Sequence, residues 1–215
     1  MSEVLALIAH DLKNALGGLE AELARMSDAP TPDAARNAHL QCQDLRQQFV
    51  QFLTLYGAEQ GQLRALCEDE SPNDVLASLQ TRWLGRLQAS ASPLQMLVAM
   101  PHPGTPPFAH FDRRLVYMAL DAAVHNASRF ARTQITLSVQ PQTRQGHTGL
   151  LYLVDDDGPG LGHHDDLSTA TGLGTSLCQA VAMAHRLGAL QGHSELFSQG
   201  DADHPTGCRY SLWLP

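Results

Sequence analysis

His10 lies in the run IAHDLKN, with Asp11 beside it and Asn14 four residues on. A histidine that accepts a phosphoryl group needs an exposed neutral ring, a neighbour to take or hold the ring proton, and a polar group near the incoming oxygens. On a helix, Asn14 shares a face with His10. Three further stretches hold residues suited to an anionic ligand that carries a base. In DAAVHNASRF, Asn126 and Arg129 are three apart on one helical face; an asparagine oxygen can hold Mg²⁺ and an arginine can pair with phosphate. In VDDDGPGLG, acids at the end of a strand run into Gly158 and Gly160. Such an acid accepts a hydrogen bond from an exocyclic amine, as in adenine, while glycines let the backbone come close. In TGLGTSL, Gly172 and Gly174 lead through Thr175 into a helix, whose first amides attract an anion. Each stretch alone also fits a plainer reading: a surface histidine, a solvated helix face, an acidic turn, a glycine before a helix.

The elements that must position these residues are legible from period and punctuation. From Val4 to Met26 the apolar residues recur every three or four positions, which predicts a helix. Thr31-Pro32-Asp33 reads as a helix start, with Thr31 as cap and Pro32 in the first turn. That second helix runs to about Gly57, and the short loop between the two predicts an antiparallel hairpin. Two amphipathic helices bury their stripes poorly alone, so a second copy closing a four-helix bundle is expected. After Gly61 the pattern changes. LRALC is a short strand candidate, and Ser71-Pro72-Asn73-Asp74 opens a helix to about Leu87. LQMLVAM is a strand, PHPGTPPFAH a loop, and Asp112 to Phe130 a helix. QITLSVQ and GLLYLVDDD are strands around a polar turn. Thr175 to Leu187 is a helix, and ALQGHSELFS with CRYSLWLP forms a closing hairpin. Helices on one face of a mixed sheet are the natural packing for this second half.

Composition narrows the function classes. The 215 residues are 43% hydrophobic with a formal net charge of −8. No basic stripe is present, which argues against nucleic-acid binding. Cys42, Cys67, Cys178 and Cys208 form no CxxC pair, as expected of a reduced cytoplasmic protein. No stretch approaches the roughly 18 apolar residues that a membrane helix needs, so no membrane insertion is expected.

Taken in order, the four stretches resemble the sensor histidine kinases of two-component systems. His10-Asp11-Leu12-Lys13-Asn14 looks like their H-box and Asn126-Ala127-Ser128-Arg129 like the N-box. Asp156-Asp157-Gly158-Pro159-Gly160 looks like the G1 box, and Gly172-Leu173-Gly174-Thr175-Ser176-Leu177 like the G2 box. The resemblance implies an α+β chain: a dimerisation and histidine-phosphotransfer hairpin over residues 1–60, then a GHKL-type ATP-binding α/β sandwich over 61–215. It implies that Nε2 of His10 is phosphorylated, that Asp11 is the acid/base, and that Asn14 steadies the transferring group. It implies that Asn126 holds Mg²⁺, that Arg129 touches phosphate, and that Asp156 binds the adenine amino group. Gly158, Gly160, Gly172 and Gly174, with Thr175 at the helix start, would shape the ATP pocket and the ends of its lid. The implied partners are a second copy of the chain, a response-regulator receiver domain whose aspartate takes the phosphoryl group, and a separate sensor protein or a longer parent chain. A phosphatase activity on the same bundle face is a further expectation.

The sequence departs from that family at several positions. Ala15 stands where a proline is common, Ala122 where the N-box has an earlier asparagine, and His125 where an acid is frequent. The segment between Gly160 and Gly172 is short and lacks a phenylalanine-containing box. Its His163-His164-Asp165-Asp166 reads as a solvated run and not as a metal site. Two rival functions follow from these departures. One is a histidine phosphotransferase relay that has lost ATP binding. The other is a sequestering protein for which nucleotide is only a switch.

Overall fold

A computed structural model describes residues 3–161, 173–201 and 204–215. The chain divides into two compact units, the first built from Met1–Leu63 and the second beginning at Arg64.

The first unit is a hairpin of α1 (Glu3–Asp28) and α2 (Pro32–Glu59). Thr31 starts α2 as its spelling predicts: the hydroxyl accepts a hydrogen bond from the Ala34 amide at 3.1 Å. The seam between the helices is narrow. Leu19, Ala38 and Leu55 are buried. A second stripe stays exposed: Leu16, Leu23, Phe49, Val50, Leu53 and Tyr56.

The second unit is a five-stranded sheet under helices. Its strands are β2 (Gln95–Val98), β4 (Gln134–Arg144), β5 (His147–Asp156), β9 (His204–Leu214) and β8 (His193–Asp201), in the spatial order β2-β4-β5-β9-β8. The β2–β4 pair is parallel and the other pairs are antiparallel, so the sheet is mixed. Gln145 and Gly146, both at positive φ, make the tight turn between β4 and β5. The helices are α3 (Pro72–Ala89), α4 (Arg113–Phe130) and α5 (Leu173–Ala184). Ser71 caps α3 and Asp112 caps α4 through their side-chain oxygens. Val75, Leu79, Val116, Ala119, Leu120, Leu177 and Val181 from the helices are buried, as are Ile135, Leu137, Tyr152, Val154 and Leu212 from the sheet. Each such side chain contributes about 1.5–3 kcal/mol when taken out of water.

Three local expectations are corrected. LRALC is not a strand; the extended segment is the next three residues, β1 (Glu68–Glu70). Its partner is β3 (Ala109–Phe111), whose first two residues end the stretch expected to be loop. The last helix ends at Ala184 and not near Leu187. There the backbone turns through Gly188, at positive φ, and β6 (Arg186–Leu187) pairs with β7 (Leu190–Gln191).

Candidate functional site

Three consecutive acids end β5, and the pleat of the strand sends them to different tasks. Asp155 lies on the sheet face away from the helices. Arg209 clasps it with Nε at 2.6 Å and Nη2 at 2.9 Å, and Gln199 adds a third hydrogen bond. Asp157 turns to the loop after α4, where its carboxylate accepts from the Arg132, Thr133 and Gln134 amides and the Thr133 hydroxyl. Burial pushes that carboxyl up, but the Thr133 hydroxyl and the three amides outweigh it and hold the group at about 2.

Asp156, between them, is different. It is only 9% exposed. Its Oδ1 accepts from the Gly158 amide at 2.9 Å and the Cys208 amide at 3.2 Å. Its Oδ2 takes no hydrogen bond among the described residues. Burial raises its pKa, the two amides partly oppose that, and Asp157 and Asp155 add to the rise. A desolvated carboxylate with one unengaged oxygen is a strong acceptor for a ligand N–H.

Glycines make room for this carboxylate. A Cβ on Gly158 would sit 2.7 Å from the Phe130 carbonyl oxygen and 2.8 Å from Asp156 Oδ1. Gly160 has φ +85°, a conformation that favours glycine. Gly207 is the residue that sequence reasoning missed. At φ +138°, a Cβ there would lie 1.8 Å from the Asp156 carbonyl oxygen. The only sequence signal was a glycine just before the last apolar strand. Cys208, which donates to Asp156, was missed with it.

Two helices of the same unit carry the other candidate residues. On α4, Asn126 is half-buried and Arg129 exposed, the guanidinium lying 5.6 Å from the centre of the Phe130 ring. Ala122, one turn earlier, is 6% exposed. On α5, Gly174 is half-buried and Thr175 exposed. A Cβ on Gly174 would be 4.0 Å from the Ala122 methyl, an ordinary contact, so crowding does not demand glycine there. The first turn of α5 leaves amides without helical partners, and these suit an anion. Gly172 and the His163-His164-Asp165-Asp166 run lie outside the described residues. Asp156, Asn126, Arg129, Gly158, Gly160, Gly174 and Thr175 thus all belong to the second unit. An acceptor for a base, an amide oxygen, a cation and a helix N-terminus are the donor set that a Mg²⁺-nucleotide requires.

His10 and Asn14 belong to the first unit. Both are exposed on α1. The Asn14 Nδ2 lies 3.3 Å from His10 Nδ1. The side chain of Asp11 lies outside the described residues.

No protein-family model matches the sequence, and no curated protein does. Solved structures do. The Acinetobacter baumannii histidine kinase AdeS aligns over 95% of this chain and 96% of its own, with a TM-score of 0.66 and 20% identity. The chain has the fold of a sensor histidine kinase core. Full-length ShkA, a structure in complex with AMPPNP, covers 99% of this chain over 45% of its own length, with a TM-score of 0.59 and 14% identity. The catalytic domain of histidine kinase ThkA covers 69% of this chain and 95% of its own, at a TM-score of 0.51 and 13% identity. Among the described residues, no helix of this histidine-kinase fold is long and apolar enough to cross a membrane.

Proposed function

We propose that the chain is an ATP-dependent protein-histidine kinase that phosphorylates its own His10 and passes the phosphoryl group to an aspartate of a response-regulator receiver domain. The observation that carries this reading is Asp156. It is a buried carboxylate whose first oxygen is held by the Gly158 and Cys208 amides, which leaves its second oxygen to meet a ligand. It is matched to the amino group of adenine. Asn126 would hold Mg²⁺ against the phosphates, and Arg129 with the first turn of α5 would neutralise their charge. The likeness to AdeS and to ShkA, the latter described with an ATP analogue, supports the same reading.

In this reading Nε2 of His10 forms a bond to the γ-phosphorus of ATP as the bond from phosphorus to the ADP oxygen breaks. Nε2 must therefore carry the lone pair, with the ring proton on Nδ1. The Asn14 amide lies beside Nδ1, and which way it faces goes with which ring nitrogen carries the proton. Asp11 would hold the productive tautomer by accepting from Nδ1–H. Asp11 then takes the Nδ1 proton as positive charge develops on the ring. Asn14 would steady the transferring phosphoryl group.

The exposed stripe of Leu16, Leu23, Phe49, Leu53 and Tyr56 supports a homodimer closed as a four-helix bundle. Phosphatase activity, a sensor partner and cytoplasmic location belong to the same proposal.

Calorimetric titration with Mg·ATP and Mg·GTP tests it. ATP should bind and GTP, which lacks the amine at that ring position, should bind at least tenfold more weakly; Asp156→Asn should lose ATP. Equal affinity for both nucleotides, or full binding by the variant, would overturn the role of Asp156. A folded protein that binds neither would favour the relay reading, to which the loss of a polar group at Ala122 already leans.

A further inference from the structure

We infer that His125 is a phosphate-contacting residue of the nucleotide site, held in place by Trp83; the inference rests on the kinase reading above. Helical spacing gives the first reason. Ala122, His125, Asn126 and Arg129 stand at i, i+3, i+4 and i+7, which is one face of α4. Two of the four are already matched to a Mg²⁺-polyphosphate. Ala122 has no polar atom and is buried beside Gly174, so the turn before Asn126 gives a ligand nothing to bond. His125 is the remaining polar member of the face, and it is exposed.

The second reason is how the ring is held. An exposed side chain that must order itself around a ligand loses rotamer freedom on binding. His125 is ordered beforehand. Its ring packs against the Trp83 indole, centroids 6.2 Å apart at an interplanar angle of 48°. Trp83 is itself 3% exposed and fixed by its indole N–H, which donates to Asp121 at 2.7 Å. The Arg86 guanidinium lies 5.1 Å from the centre of the same indole. Asp121 is 2% exposed, one turn before His125 on α4. The α3–α4 contact therefore braces an imidazole beside Asn126.

The third reason is charge. Arg86 is half-buried over the Trp83 indole that holds this ring, Arg129 stands exposed one turn after His125 on α4, and Asp121 is withdrawn into the protein. An imidazole N–H on a helix face that also carries an arginine is suited to donate to an anion.

The test is titration of wild type, His125→Ala and His125→Gln with Mg·ADP, Mg·AMPPNP and adenosine, with thermal melting of each variant. His125→Ala should weaken both phosphate-bearing ligands roughly tenfold or more, the scale of one hydrogen bond to a charged group. Adenosine should bind all three proteins alike, and His125→Gln, which keeps an N–H donor, should recover part of the loss. Trp83→Phe should weaken the nucleotides in the same direction while His125→Ala/Trp83→Phe weakens them no further than His125→Ala. Unchanged nucleotide affinity in His125→Ala overturns the inference, and so does an equal loss for adenosine. A wild type that binds no nucleotide fails the kinase reading first and the inference with it. A wild type that binds normally beside an unaffected His125→Ala fails the inference alone.

Discussion

Asp156 carries a cost at neutral pH, which the proposed adenine contact would account for. Its pKa is raised in the fold, so its contribution to stability is present below the unfolded value of 3.8 and is lost as pH rises through the folded value. At pH 7 an ionised carboxylate is held in a place that disfavours charge. Asp156→Asn keeps an oxygen for the Gly158 and Cys208 amides and removes that charge. It should therefore melt no lower than wild type at pH 7 although it loses ATP; a clear fall in melting temperature would mean that the carboxylate serves the fold. The sequence named Asp156 through its place in a motif. It did not say why Asp155 and Asp157 are excluded, because that depends on strand parity and on partners 54 and 24 residues away. Gly207 and Cys208 were illegible for the same reason. Nothing near them in the chain shows that the Asp156 peptide passes within van der Waals distance.

At the scale of elements, what was local was legible. The caps at Thr31 and Ser71 formed as spelled, since a hydroxyl three residues before an amide needs no distant partner. β3 was hidden because three residues in a proline-rich run show no period, and pairing with β1, some forty residues earlier, defines the strand. α5 ends at Ala184, and the side chain of His185 just after it joins the last turn to the start of α4. Its Nε2 accepts from the Asp112 amide at 3.1 Å, and its Nδ1 donates to the Val181 carbonyl. Asp157 is the joint between elements that bears most on the site, since it ties the α4–β4 loop to the end of β5. Asp157→Ala should lower stability by about 1–2 kcal/mol, the scale of hydrogen bonds to a partly exposed charge. Its group is held at about 2 in the fold against 3.8 unfolded, so its stabilisation is present above pH 3.8 and is lost as pH falls through 2. Denaturant titration at pH 7 and pH 2 checks this: the gap between wild type and variant should close at the lower pH, and an undiminished gap would contradict it.

For the whole molecule, His185 sets a lower pH bound. It is 2% exposed, and burial pushes its pKa below the ordinary 6.5, with the Val181 carbonyl and Asp112 partly opposing. The neutral ring belongs to the fold, so the unfolded chain takes up the proton first. Stability should be at its plateau above pH 6.5 and decline as pH falls below it. Thermal melts of wild type and His185→Gln between pH 7.5 and 5.5 should show a shallower slope in the variant. Identical slopes would remove His185 from the account. Above these details stands the claim that a helical hairpin and an α/β sandwich together move a phosphoryl group from ATP to His10. The measurement that tests it most directly is incubation of the purified protein with γ-labelled ATP and Mg²⁺ beside His10→Gln and Asn126→Ala. The account predicts acid-labile, alkali-stable label on the wild type and on neither variant. Label that persists in His10→Gln, or none on a folded wild type that binds ATP, would contradict it.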